Sequence, residues 1–303
     1  MKIKSIIVAI ILITSFINCN AQNEKKEADF QELKGPYLGQ KPPRENPVIF
    51  AQGIISTDEF EFAITFSYDN NDIFFTRRPT NDGGGNSIIH CNYSKEKWSK
   101  PALASFAKAN YIELAPYCAP DEPKVYFHSE REHPLTGKKM VNDEKIWFTV
   151  KEQNEWKEAS FLPGILNTGW VMGIAPAKNA TLYLCGEVDE LGGVLRSVPE
   201  DGTYKNVEQI LDGIHPYIAS DESFIIFDKI GQNWGETYLC ISFKNNIGEW
   251  GEAIKLPEVI NKTNTECFGR MSPDWKYFFF NREGNIYWVD AKIIEELKPQ
   301  NIK

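Results

Sequence analysis

Three glutamates recur at one place in a repeated pattern, and carboxylates held at matching positions can do chemistry. Glu61, Glu113 and Glu266 each stand six residues before a short turn, and Gly169 and Gly213 take that place before two further turns. If the repeats surround an axis, the three carboxylates ring one mouth of a channel. There they could bind a cation, or serve as the acid and base of a glycosidase. The favoured expectation is that each accepts hydrogen bonds from backbone amides between repeats. A second set sits nearer the turns. Tyr117, Tyr217 and Arg270 stand two residues before their turns and His215 four before. Aromatic faces and a guanidinium at a channel mouth could hold a sugar or a carboxylate. Packing between repeats, with the polar tips in water, is the plainer expectation. Arg77, Arg131 and Arg282 follow second strands and are expected to pair with the acidic turn of the next repeat. His128 and His133, with Glu130 and Glu132, have no zinc spacing, and the chain has only 4 histidines, so neither metal nor cofactor is expected. There is no GxSxG, P-loop or dinucleotide fingerprint.

The elements that must position these residues come from the repeat. Five turns share one plan: Ser67-Tyr68-Asp69, Ala119-Pro120-Asp121, Ala175-Pro176-Ala177, Ala219-Ser220-Asp221 and Ser272-Pro273-Asp274. Their spacing is about 50 residues, the length of a four-stranded propeller blade. A proline presets φ and an aspartate can hydrogen-bond nearby amides, as a tight hairpin needs. Each turn leads into a short apolar run such as Ile73-Phe74-Phe75 or Tyr277-Phe278-Phe279-Phe280, which predicts strands buried on both faces. Third strands are predicted over 88–93, 146–150, 194–198, 238–243 and 286–289. Trp98, Trp156, Tyr204 and Trp250 mark four fourth strands, the tryptophans being expected to plug between neighbouring repeats. The last repeat lacks its fourth strand and ends in a predicted helix over 291–297. The missing piece lies at the other end. Phe50-Ala51-Gln52-Gly53-Ile54-Ile55-Ser56-Thr57 resembles Phe161 to Thr168 and Leu256 to Asn261, segments that follow a fourth strand. Residues 47–55 are therefore expected to supply the outer strand of the last blade, which closes the ring and leaves no open edge. The fold class expected is all-β, a single propeller of five four-stranded blades over residues 47–298.

Composition bounds the partners. The 303 residues carry a net charge of −9, which argues against nucleic acid and against a basic membrane-binding patch. Aromatics at 13% suit strands. Residues 1–21 read as a signal peptide: Lys2 and Lys4 precede an apolar run from Ile6 to Ile17, too short for a comfortable span. Two cleavage readings stand, one before Gln22 and one making Cys19 a lipidated N-terminus. Residues 22–46 form a polar tether and N-terminal arm. The chain is thus expected to be exported, to the periplasm or to an outer membrane as a lipoprotein, touching a membrane only through that lipid. Beyond Cys19, Cys91, Cys118, Cys185, Cys240 and Cys267 lie in apolar runs, expected as buried thiols with one long-range disulfide left open.

The pattern Ser/Ala-Pro-Asp, then Tyr-Phe-type strands, then Ile-Trp or Ile-Tyr, resembles the TolB-type WD40-like propeller repeat. The best matches are Ser272 to Arg282 with Ile286-Tyr287-Trp288, and Ala119 to Arg131 with Ile146-Trp147. Trp98-Ser99-Lys100-Pro101 and Trp250-Gly251-Glu252-Ala253 match its end. The opening Gly39 to Pro43 and Phe50 to Ile54 is similar to uncharacterised exported Bacteroidetes propeller proteins. The glycine after the turn aspartate is replaced, by Asn70, Glu122, Glu222 or Trp275, and the third repeat has Ala177 for aspartate. The resemblance implies a scaffold for protein or ligand binding and does not imply a reaction; the expected partner is a protein, or a small or carbohydrate ligand at the channel mouth. The alternative is a carbohydrate-active enzyme, a glycosidase-like five-bladed propeller that uses Glu61, Glu113 and Glu266.

Overall fold

The computed structural model describes residues 33–80, 84–233 and 235–300. The export segment and Cys19 lie outside them. Short apolar runs joined by tight turns pair most readily with their sequence neighbours, and the described residues form five antiparallel sheets, each with four strands running from axis to rim and two of them carrying a further two-residue strand. From axis to rim, blade 1 is Phe60–Phe66, Asp72–Arg78, Ser87–Ser94 and Ala102–Leu103. Blade 2 is Glu113–Cys118, Lys124–Ser129, Lys145–Glu152 and Ser160–Phe161. Blade 3 is Trp170–Pro176, Leu182–Val188, Leu191–Ser197 and Glu208–Leu211. Blade 4 is Ile214–Ile218, Phe224–Ile230, Thr237–Phe243 and Ile254–Lys255. Blade 5 is Cys267–Met271, Tyr277–Arg282, Asn285–Asp290 and, from the N-terminus, Val48–Ile49. Each innermost strand packs on that of the next blade, and the fifth packs on the first. The chain is a five-bladed β-propeller.

Ring closure follows the expectation, with a shorter strand. Val48 and Ile49 pair with Trp288 and Tyr287, and the Phe50 amide donates to the Ile286 carbonyl at 2.8 Å. Residues 51–55 then turn away through Ala51 in the left-handed region. The resemblance among the three linking segments has a physical cause. Asn167 Nδ2 donates to the Ile146 and Leu162 carbonyls while its Oδ1 accepts the Ile146 amide. Asn261 does the same at Leu239 and Leu256. Ser56 Oγ serves both the Ile286 amide and its carbonyl. Each side chain bolts the exit from a blade to that blade's third strand, satisfying backbone groups that would otherwise be buried unpaired. The arm docks as well. The Trp98 amide donates to the Leu33 carbonyl and its indole to Gly35 at 2.8 Å, and the Tyr37 hydroxyl donates to Asp274 at 2.6 Å.

Two expectations shift. Trp98, Trp156, Tyr204 and Trp250 do not head the outer strands; they end or flank small hairpins, and each outer strand begins four residues later. Trp156 nonetheless reaches the neighbouring blade, edge-on to Phe74 at 5.3 Å, and Trp250 lies edge-on to Tyr183 at 6.3 Å. The third turn is Ala177-Lys178-Asn179, two residues later than predicted. The Ala177 amide bonds the Thr181 carbonyl as Ser67 bonds Asp72, and Asn179 Oδ1 accepts the Thr181 amide as Asp69 accepts that of Asn71. Pro176 closes the preceding strand instead.

Candidate functional site

With the third turn corrected, the glutamate position holds Glu61, Glu113, Val171, Gly213 and Glu266. The three carboxylates are buried and fully engaged within their own blades. Glu61 accepts from the Thr57 amide, the Thr57 hydroxyl and Arg77 Nε at 3.0, 2.6 and 2.8 Å. Glu113 accepts from the Lys108 amide, Ser129 Oγ and Arg131 Nε at 2.9, 2.9 and 2.6 Å. Glu266 accepts from the Thr263 amide and hydroxyl and from Arg282 Nε, at 2.9, 2.9 and 2.8 Å. Burial works against the Glu266 anion, but the Thr263 amide and Arg282 outweigh it and hold the carboxyl below its ordinary range. The arginine partners therefore differ from the expectation. Arg77, Arg131 and Arg282 pair with the glutamate of their own blade, since the antiparallel register sets Glu61 opposite Arg77. Their Nη2 groups then donate to carbonyls of the linking segments, at Ile55, Phe106 and Ile260 among others. The axis beside the glutamates is filled with apolar side chains, Phe62, Leu114 and Phe268 with Phe60 and Ile112.

Midway along the axis every innermost strand carries a bulge with one residue in the left-handed region: Ala63, Ala115, Gly173, His215 and Phe268. A Cβ on Gly173 would stand 3.0 Å from the His215 Cα, so the glycine makes room for that histidine. A bulge leaves an amide unpaired, and the preceding blade supplies its acceptor. Thr76 Oγ1 accepts the Ala115 amide at 2.8 Å, Cys185 Sγ that of His215, Asp228 Oδ2 that of Phe268, and Asn281 Oδ1 that of Ala63. His128 holds the same register in blade 2, but neither ring nitrogen has a hydrogen-bond partner among the described residues. Burial, then the charges of His215 and Arg270, push its pKa down to about 3, so the ring is neutral.

His215 is not at the mouth. Its Nδ1 bonds Asp228 Oδ2 at 2.6 Å, its ring stacks on Phe268 at 3.8 Å, and its Nε2 is buried without a partner. Burial raises the Asp228 carboxyl against the opposing pull of His215. The free thiols are inert nucleophiles: burial pushes the Cys91 and Cys185 groups up to about 12 and the Cys240 group to about 11.

Tyr117, Tyr217 and Arg270 do come together, at the mouth on the side of the turns. They line a cavity of about 110 Å³ with Thr65, Tyr68 and Trp275. The guanidinium of Arg270 lies 4.3 Å from the centre of the Tyr117 ring, which stacks on Tyr217 at 6.3 Å. Arg270 Nη1 donates to the Pro116 and Ile64 carbonyls. Among the described residues no carboxylate lies within ion-pair distance of it. Burial pulls its pKa down to about 10, so it stays a cation, only 5% exposed. The Tyr117 hydroxyl is buried too and lacks a hydrogen-bond partner of normal geometry. Sequence reasoning missed Asp228, Thr65 and Trp275, whose places depend on cross-strand register and on the ring.

No family model and no curated protein matches the chain. Solved structures do. TolB from Acinetobacter baumannii superposes with a TM-score of 0.51 at 12% identity, over 78% of this chain and 53% of that one, so the chain spans about half its length. A gluconolactonase from Xanthomonas campestris gives 0.46 at 9% identity, over 85% and 96%. A protein of unknown function from Dyadobacter fermentans gives 0.43 at 13%, over 82% and 83%. What the chain shares with the TolB structure is the propeller fold.

Proposed function

We propose that this chain is an exported, non-catalytic propeller that binds a partner protein or an extracellular ligand at the turn-side mouth, through Arg270, Tyr117 and Tyr217. The observation that carries the reading is Arg270: a buried cation facing a cavity, held by carbonyls and a ring face, with no carboxylate partner among the described residues. A buried charge is costly unless something compensates it, and an anionic group of the ligand does so. Support over the glycosidase-like alternative comes from Glu61, Glu113 and Glu266, whose oxygens are taken up by amides, hydroxyls and arginines. Export, with a mature N-terminus at Gln22 or a lipidated Cys19, belongs to the same proposal. Mass spectrometry of the native N-terminus decides between the two, and a retained Met1 refutes both.

The test of the site is a titration with benzoate and with neutral sugars, for the wild type and Arg270→Gln. Benzoate binding that falls at least tenfold in the variant supports the reading. Equal binding to both proteins, or glycan cleavage that disappears in Glu113→Gln, overturns it.

A further inference from the structure

The mouth does not end at Arg270. A second cavity, of about 220 Å³, opens beside it between blades 4 and 5, walled by Phe224, Phe243, Met271, Trp275 and Ile294. Met271 and Trp275 wall both cavities. A run of rings joins them: Tyr117 stacks on Tyr217, Tyr217 packs on Phe224 at 6.2 Å, and Phe224 meets Trp275 edge-on at 5.6 Å. The first cavity offers a cation and the buried Tyr117 hydroxyl; the second offers aromatic and aliphatic carbon. Lys244 and Lys298 line the second cavity along with Glu295. An engineered apolar cavity of ~150 Å³ takes up benzene, so this one has room for a short hydrocarbon chain.

Building on the site proposed above, we infer that the two cavities form one bipartite site for a carboxylate bearing a short apolar chain. The carboxylate sits against Arg270 and the Tyr117 hydroxyl, and the chain lies in the slot beneath Trp275. The arginine fork matches a carboxylate, and the Tyr117 hydroxyl can donate to the same anion. The slot adds affinity through buried carbon, about three- to fourfold per methylene.

The probes are acetate, hexanoate, octanoate and octan-1-ol, titrated calorimetrically into the full chain. The inference predicts that octanoate binds at least thirtyfold tighter than acetate and at least tenfold tighter than octan-1-ol. Trp275→Gly keeps the fold, since Trp275 sits at φ 62 where glycine is at ease. It is expected to abolish the gain with chain length, with Arg270→Gln removing the preference for octanoate over octan-1-ol. Acetate and octanoate binding equally well would overturn the inference and leave the mouth site standing. Octan-1-ol binding as tightly as octanoate would overturn the role given to Arg270 in both. An unchanged chain-length gain in a folded Trp275→Gly would place the hydrocarbon elsewhere and sink the inference.

Discussion

Lowering the pH from 6.5 to 4.5 should destabilise this propeller chiefly through one side chain, and His128→Asn should remove most of that effect. His128 is 1% exposed and its two nitrogens make no hydrogen bond among the described residues. Its pKa in the folded chain is about 3 against an ordinary 6.5. Above pH 6.5 the ring is neutral folded and unfolded, and it adds no pH dependence. From about 6.5 down to about 3 the unfolded chain takes up a proton that the folded one refuses, so stability falls with pH in that window. Each pH unit is worth ~1.4 kcal/mol, which gives a loss on the order of 5 kcal/mol in all, and of about 2 kcal/mol between pH 6.5 and 4.5. Asparagine has the further merit of resembling Asn281, which accepts a bulge amide at the same register in blade 5. If the introduced side chain reaches the Gly173 amide, the variant gains about 1 kcal/mol at pH 7. The assay is urea unfolding of both proteins at pH 7.5, 6.5, 5.5 and 4.5. A variant as acid-sensitive as the wild type over this range would show that His128 is not the group responsible.

Three further outcomes are expected. Removing residues 1–56 takes away the closing strand, the fully buried Phe50 and Ile55 and the Ser56 clamp, and should cost more than about 5 kcal/mol, whereas removing 1–31 should leave the melting temperature unchanged. Breaking the buried Arg131–Glu113 ion pair with Arg131→Ala leaves Glu113 without its counter-charge and should cost about 3–5 kcal/mol by chemical denaturation; a loss below 1 kcal/mol would show that the pair is dispensable. Asp72→Asn tests a second acid window. Burial opposes the Asp72 anion, but His90 at 2.7 Å and Lys151 at 2.7 Å outweigh it and hold its pKa at about 2. Its share of stability, about 2 kcal/mol, is complete above pH 3.8 and lost as pH falls toward 2, and that slope should be missing in the variant.

Much of the fold was legible because a propeller writes one unit repeatedly. The turns, the strands after them and the return of the N-terminal segment to blade 5 all follow from local chemistry that recurs: an aspartate or asparagine two residues into the turn, and a serine or asparagine at the blade exit. The third turn reads two residues early because Ala175-Pro176 imitates the motif, while Asn179, which carries the hydrogen bond, lacks the expected aspartate. The glutamates and the arginines were each visible as repeat features, but their pairing is a matter of cross-strand register. Sequence spacing did carry a trace of it, since Arg77 follows Glu61 at the interval at which Arg282 follows Glu266. The ring formed by Thr76, His128, Cys185, Asp228 and Asn281 was not legible at all. Those residues share a register set by the bulges and no common chemistry. The apolar slot brings Phe224, Phe243 and Ile294 together from separate elements, which no local pattern announces.

The proposed ligand site is the turn-side mouth and not the set of axial carboxylates. A crystal structure grown with octanoate tests it most directly. The carboxylate is expected within hydrogen-bonding distance of Arg270 and the chain against Trp275 and Phe224, with Glu61, Glu113 and Glu266 still bonded to Arg77, Arg131 and Arg282. Octanoate bound anywhere else on the propeller, with the mouth holding only water, would contradict it.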